Sequence, residues 1–189
     1  MHKRVMERKR IIVFGFEGKN NKTESNYFSH FQPVDDRYII KQFSCGVTDP
    51  AGMIKSAKAK RKDYDYNSKE DLTFLFIDCD CDENKKELIN QSQLKQGKDF
   101  FIVKSNPCFE LWFLNHFCCS TKEYKNNDEL IKDLCKYLQN YEKNKDYYQI
   151  LKDKTNKAIA NSRHQIEDDN CKSFTEIFAI INKHIITKE

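Results

Sequence analysis

Leu72-Thr-Phe-Leu-Phe-Ile77 runs without interruption into Asp78-Cys79-Asp80-Cys81-Asp82. A short apolar run of this kind, rich in Phe and Leu and stopped by acids, predicts a strand buried on both faces. The same pattern occurs earlier, where Arg10–Phe16 (RIIVFGF) ends in Glu17-Gly18. Two further runs, Arg37–Phe43 (RYIIKQF) and Asp99–Val103 (DFFIV), complete a set of four strands. Between them lie helical patterns over Thr23–Gln32, from Asp49-Pro50 to about Lys62, and over Glu83–Leu94. Asp as N-cap with Pro at the first helical position starts the second of these. Strand–helix alternation implies parallel βαβ units with right-handed crossovers.

Beyond Ser105-Asn106-Pro107 the period becomes helical, over Phe109–Phe117, Asp128–Glu142, roughly Thr155–Glu167 and Phe174–Ile186. The expected fold is α/β: a mostly parallel four-stranded sheet flanked by helices, with a helical C-terminal portion. The 189 residues, with no Pro/Gly/Ser linker, read as one domain with an α/β core over 1–105 and a helical part over 106–189. Leu130, Leu134, Tyr137, Leu138 and Tyr141 form an apolar stripe, and Ile150–Ala160 and Phe174–Ile186 add further apolar faces. That surplus predicts a partner or self-association surface in the C-terminal half.

Aromatic residues at 13% argue against a disordered chain despite 33% charged residues. No apolar run approaches the ~20 residues of a bilayer span, and the basic Met1–Arg10 is not followed by a secretory core, so a cytoplasmic protein without membrane contact is expected. The eight cysteines show no C-x-x-C pair, which favours reduced thiols over a zinc site or a disulfide framework. A net charge of +4 permits a nucleic-acid partner without demanding one.

Ligands of open α/β sheets gather outside the carboxyl ends of the parallel strands, where Glu17, Asp78 and Asp80 fall. In an extended segment residues i and i+2 face the same side, so Asp78 and Asp80 can converge. Clustered carboxylates repel unless a cation neutralises them, and oxygen-only ligands suit Mg²⁺ or Mn²⁺. Such a centre fits phosphodiester chemistry. The competing reading is a solvated turn whose acids favour a helix N-terminus. Asp82 extends the acidic run and is a further candidate ligand. Glu24 either sits in a first helical turn or stands beside the metal. Glu110, on an apolar helix, needs a partner or a role. His116 is either a satisfied core histidine or a site group, and Asn106 either a plain turn residue or part of the active edge. Lys19, Lys22, Lys58, Arg61 and Lys62 are candidate phosphate contacts, against solvation at a helix end for the last three.

Phe14-Gly15-Phe16-Glu17-Gly18, Thr23-Glu24-x-x-Tyr27-Phe28, Asp78-x-Asp80 and Ser105-Asn106-Pro107-Cys108-Phe109-Glu110-Leu111-Trp112, with His116-Phe117, together resemble the RloB-like family. The resemblance implies a Toprim-like fold, in which the strand-ending Glu and the D-x-D correspond to Glu17, Asp78 and Asp80. It further implies a metal-dependent nuclease effector of bacterial phage defence by abortive infection, acting on RNA, tRNA or DNA beside an ABC-type or AAA ATPase. The rival reading is a non-catalytic Toprim-like subunit that binds an ATPase or a nucleotide.

Overall fold

A computed structural model describes residues 8–19, 23–168, 170–181 and 183–188. The four runs read as strands are β1 (Arg10–Phe16), β3 (Tyr38–Ser44), β4 (Leu72–Asp78) and β5 (Phe100–Asn106), all parallel. The sheet has five strands, not four, in the order β3-β1-β4-β5-β6. The added edge, β6 (Phe174–Thr175), runs antiparallel to β5 and comes from a segment expected to be helical. The remaining strands, β2 (Phe31–Pro33) and β7 (Ile185–Thr187), pair antiparallel in a separate two-stranded sheet.

Alternation along the strands divides the core between the two sheet faces. One face carries Leu75, Ile77 and Phe100 against Met53 and Ala57 of α2 (Pro50–Lys62) and Ile89 of α3 (Glu83–Leu94). The other carries Phe14, Phe16, Phe74 and Phe76. Against them pack Tyr27 and Phe28 of α1 (Thr23–Phe28) and Trp112 and Phe113 of α4 (Glu110–Asn115). Phe28 lies 4.8 Å from Phe76 and 5.2 Å from Phe14 between ring centroids, so aromatic packing fixes α1 on the sheet. α5 (Asn127–Leu134) and α7 (Thr155–Glu167) pack against α4, with the sheet and residues of α6 (Tyr148–Leu151) in the same core, which explains why the Phe109–Phe117 stretch is apolar on all sides.

Three helical expectations shorten. The first helix stops at Phe28, before β2. α5 ends at Leu134 instead of Glu142, and the chain then turns through Asn140 (φ 56°) and Asn144 (φ 69°). Over 174–186 the apolar residues Ile177, Ile180, Ile181 and Ile185 keep a helical spacing, yet only a 3₁₀ turn, Ile177–Ala179, forms. The open backbone of β5 at Ser105 and Asn106 pairs with Phe174–Thr175 there, and that ladder outweighs local period.

No helix among the described residues is long and apolar enough to cross a membrane. The cysteines are free thiols, and Cys45, Cys79 and Cys108 are buried as small apolar groups.

Candidate functional site

From β1 the chain moves to β3 on one side, then crosses back to β4 on the other. The carboxyl ends of β1 and β4 therefore flank the point where strand order reverses, the position at which open α/β sheets bind ligands. Glu17 and Asp78 stand there. The Asp78 amide donates to Glu17 Oε2 at 3.0 Å, and the Phe109 amide donates to Asp78 Oδ1 at 2.9 Å. Each acid is thus oriented by the backbone of the next segment. Gly18 makes the turn out of β1 in the left-handed region (φ 78°), where a side chain would be strained.

Asp80 reaches the same edge by a different route from the one its spacing suggests. Asp80 and Cys81 have φ of 55° and 59°, so the segment is a left-handed turn and not an extension of β4. Backbone bonds from Cys79 to Ser105 and from Asp80 to Pro107, each 2.8 Å, hold that turn against the end of β5. Asn106 braces it: its Oδ1 accepts the Cys81 amide at 3.1 Å while its Nδ2 donates to Lys172 O at 2.7 Å. Asn106 is therefore a support of the acidic turn, and its peptide bond to Pro107 is cis.

Lys85, which sequence reading missed, joins the acids. Its Nζ lies 3.1 Å from Glu17 Oε1 and 2.6 Å from Asp80 Oδ2, with its side chain only 15% exposed. Burial alone would push Lys85 down, but Asp80 and Glu17 outweigh it and hold the ammonium above its ordinary pKa. Asn127 Nδ2 donates to the other Asp80 oxygen at 3.1 Å. Asp82, expected to extend the acidic cluster, instead caps α3, its Oδ1 accepting the Asn84 and Lys85 amides. Its carboxylate is spent on a helix end.

Glu24 and Glu110, both buried, complete the acidic surroundings of Asp78. Burial first, then Glu24, Glu110, Glu17 and Asp80 in turn, push the Asp78 carboxyl well above its ordinary pKa. Burial also raises Glu17, opposed by Lys85 and the Asp78 amide. Glu110 finds the partner its helix demanded: Tyr141 OH donates to Oε1 at 2.9 Å, and Lys143 Nζ lies 3.7 Å away. Thr23 Oγ1 accepts the Asn144 amide at 2.9 Å, tying α1 to the same loop.

Other expected residues lie elsewhere. His116 is fully buried between Tyr27 and Trp112, with Nδ1 2.8 Å from Trp112 O, and burial lowers its pKa to about 4. It is a core residue. Lys58, Arg61 and Lys62 do not meet the acids, because a crossover helix runs antiparallel to its strands and its C-terminus lands at their amino ends. There Arg61 pairs with Asp99 at 3.0 Å and stacks over Tyr66 and Phe100, while Lys58 and Lys62 are exposed. Lys19 is exposed beside Gly18 at the acidic edge, and Lys22 lies outside the described residues.

Four carboxylates thus gather around Asp78, and the ammonium groups that the described residues bring to Glu17, Asp80 and Glu110 are Lys85 and Lys143. Carboxylate oxygens are the donor type that a hard divalent cation takes, and Glu17, Asp78 and Asp80 share one sheet edge. As the side chains stand, no three Asp, Glu, His or Cys groups among the described residues converge on one cation position. Lys85 fills the gap between Glu17 and Asp80.

A family model described as RloB-like protein matches residues 11–183, a span that runs from the second residue of β1 past the 3₁₀ turn at Ile177–Ala179. No curated protein and no solved structure matches the chain. With Glu17, the Asp78 turn and the Asn106–Glu110 segment all inside the matched span, the chain belongs to the RloB-like protein family.

Proposed function

We propose that the protein is a Mg²⁺- or Mn²⁺-dependent nuclease of Toprim-like design, hydrolysing phosphodiester bonds in RNA, tRNA or DNA as an effector of antiphage abortive infection. The observation that carries this reading is the hydrogen-bonded Glu17–Asp78 pair at the strand-order reversal, surrounded by Asp80, Glu24 and Glu110. Glu17, Asp78 and Asp80 would hold the cation. When bound, it supplies positive charge to the phosphate and makes water a better nucleophile at neutral pH. The Phe109 amide and the Asp78 amide keep the two leading acids in place, and Tyr141 keeps Glu110 in place. Lys19, exposed beside Gly18, approaches the phosphate backbone. A net charge of +4 gives modest affinity for a polyanion, so a partner ATPase presents the substrate and controls cutting.

Incubating the protein with tRNA, single-stranded RNA and plasmid, each with Mg²⁺, Mn²⁺ or EDTA, tests the reading. Cleavage that needs the cation and is lost in Asp78→Asn is expected. Intact nucleic acid in every arm, with and without the ATPase, overturns it.

One observation favours a second reading. Lys85 already bridges Glu17 and Asp80, as it would in a non-catalytic module that binds a nucleotide or an ATPase without cutting. Nucleotide binding by a protein inert in all the cleavage arms would favour that reading.

A further inference from the structure

Lys85 occupies an awkward place for a lysine. It lies in the first turn of α3, where the amide dipoles already present positive charge and a cation is disfavoured. Its side chain is largely buried, a position lysine seldom takes unless paired. Both penalties are offset by two charge-assisted hydrogen bonds to carboxylates from different segments, Glu17 after β1 and Asp80 in the turn after β4. Asp82 adds a backbone constraint, because the Lys85 amide is one of the two donors to its cap. The ammonium is therefore delivered by the fold into the gap between two acids that, with Asp78, are the nearest oxygen donors for a cation.

We propose that Lys85 is the internal counter-ion of this site, bridging Glu17 and Asp80 when no divalent cation is bound, and that a divalent cation binds by displacing its ammonium. The inference rests on the metal-site reading above and adds a property of this chain to it. The charge balance is simple: one ammonium leaves two carboxylates and a divalent cation enters. Asp80 keeps its Asn127 contact, so the turn stays anchored while its other oxygen changes partner. Because the cation competes with a bonded ammonium, its affinity in the natural protein is set below what the donors alone would give.

The test is Mn²⁺ binding by isothermal titration, independent of cleavage. Lys85→Met is expected to bind Mn²⁺ roughly tenfold or more tightly than the unchanged protein, about what one hydrogen bond to a charged group is worth. Its cation-free form should melt at lower temperature, since Glu17 and Asp80 lose their counter-ion. Lys85→Arg, which keeps the charge, should show no gain. Lys85→Gln, neutral and of similar reach, makes the same comparison if the Met variant does not fold. If Asp78→Asn abolishes Mn²⁺ binding while Lys85→Met and Lys85→Gln bind as the unchanged protein does, the metal site stands and the counter-ion inference is overturned. If no protein in the set, the unchanged one included, binds Mn²⁺, the metal-site reading falls and the inference with it.

Discussion

Asp78 concentrates the electrostatic cost of the site. Its carboxyl and that of Glu17 are both held above their ordinary pKa, so the folded protein keeps protons that the unfolded chain releases. More protons bound in the folded state means that stability falls as pH rises above the ordinary carboxyl range near 4. Asp78→Asn keeps an acceptor for the Phe109 amide and removes the charge, so its stability, read by urea denaturation from pH 4 to 8, should fall less with rising pH. Under the proposed nuclease function, metal-dependent cleavage by this variant should drop by at least about a hundredfold, because even residues that only support a metal ligand cost about 10–100-fold. His116 works in the opposite direction. With a folded value of about 4 against an ordinary 6.5, it binds a proton in the unfolded chain first, so the stability it contributes is full above pH 6.5 and lost as pH falls toward 4. His116→Phe should flatten that acid limb in the same titration without altering cation binding.

Among the elements, β1 and the loop after α5 carry the most specific demands. Gly15 sits in β1 between Leu75 and Phe43, and an added Cβ would meet Leu75 Cδ1 at 2.8 Å and the Phe43 ring at 2.9 Å. Both contacts are side-chain ends that can give way in part. Gly15→Ala should therefore cost about 1–2 kcal/mol, measured by chemical denaturation. The segment between α5 and α6 leaves helix so that Tyr141 and Lys143 can reach Glu110. Tyr141→Phe removes a donor to a buried carboxylate and should destabilise by about 2 kcal/mol, the range for hydrogen bonds to charged groups. A loss well under 1 kcal/mol would show that Lys143 satisfies Glu110 without it.

A cation that binds the folded chain alone stabilises all of it. At a free concentration near 100 times its dissociation constant, Mn²⁺ should add about 2.7 kcal/mol, which for this length raises the melting temperature by about 5–10 °C. Excess EDTA should reverse the shift, and Glu17→Gln should shrink it. Asp80 links the acidic edge to the periphery, since Lys85 of α3 and Asn127 of α5 both hold its carboxylate. The acids, α3 and α5 thus meet through one side chain in the cation-free protein.

Much of this is legible in the sequence. Arg10–Phe16 and Leu72–Ile77 had to be buried strands, because apolar runs of that length bury on both faces, and α2 began where its Asp49 cap stood. The acids at the strand ends followed from the same patterns. Lys85 was not legible as a site residue: its partners come from Glu17 and Asp80, 68 and 5 residues away, and no local period encodes a bridge between two strand ends. Nor was the loss of helix after Leu134 and across 174–186, where apolar spacing fits a helix equally well. Pairing with the open edge of β5, and a buried Glu110 in need of a donor, are long-range terms that outweighed local propensity. Spacing along a chain records which residues are apolar and how often they recur. Which backbone edge or buried charge they must satisfy is decided when distant segments meet.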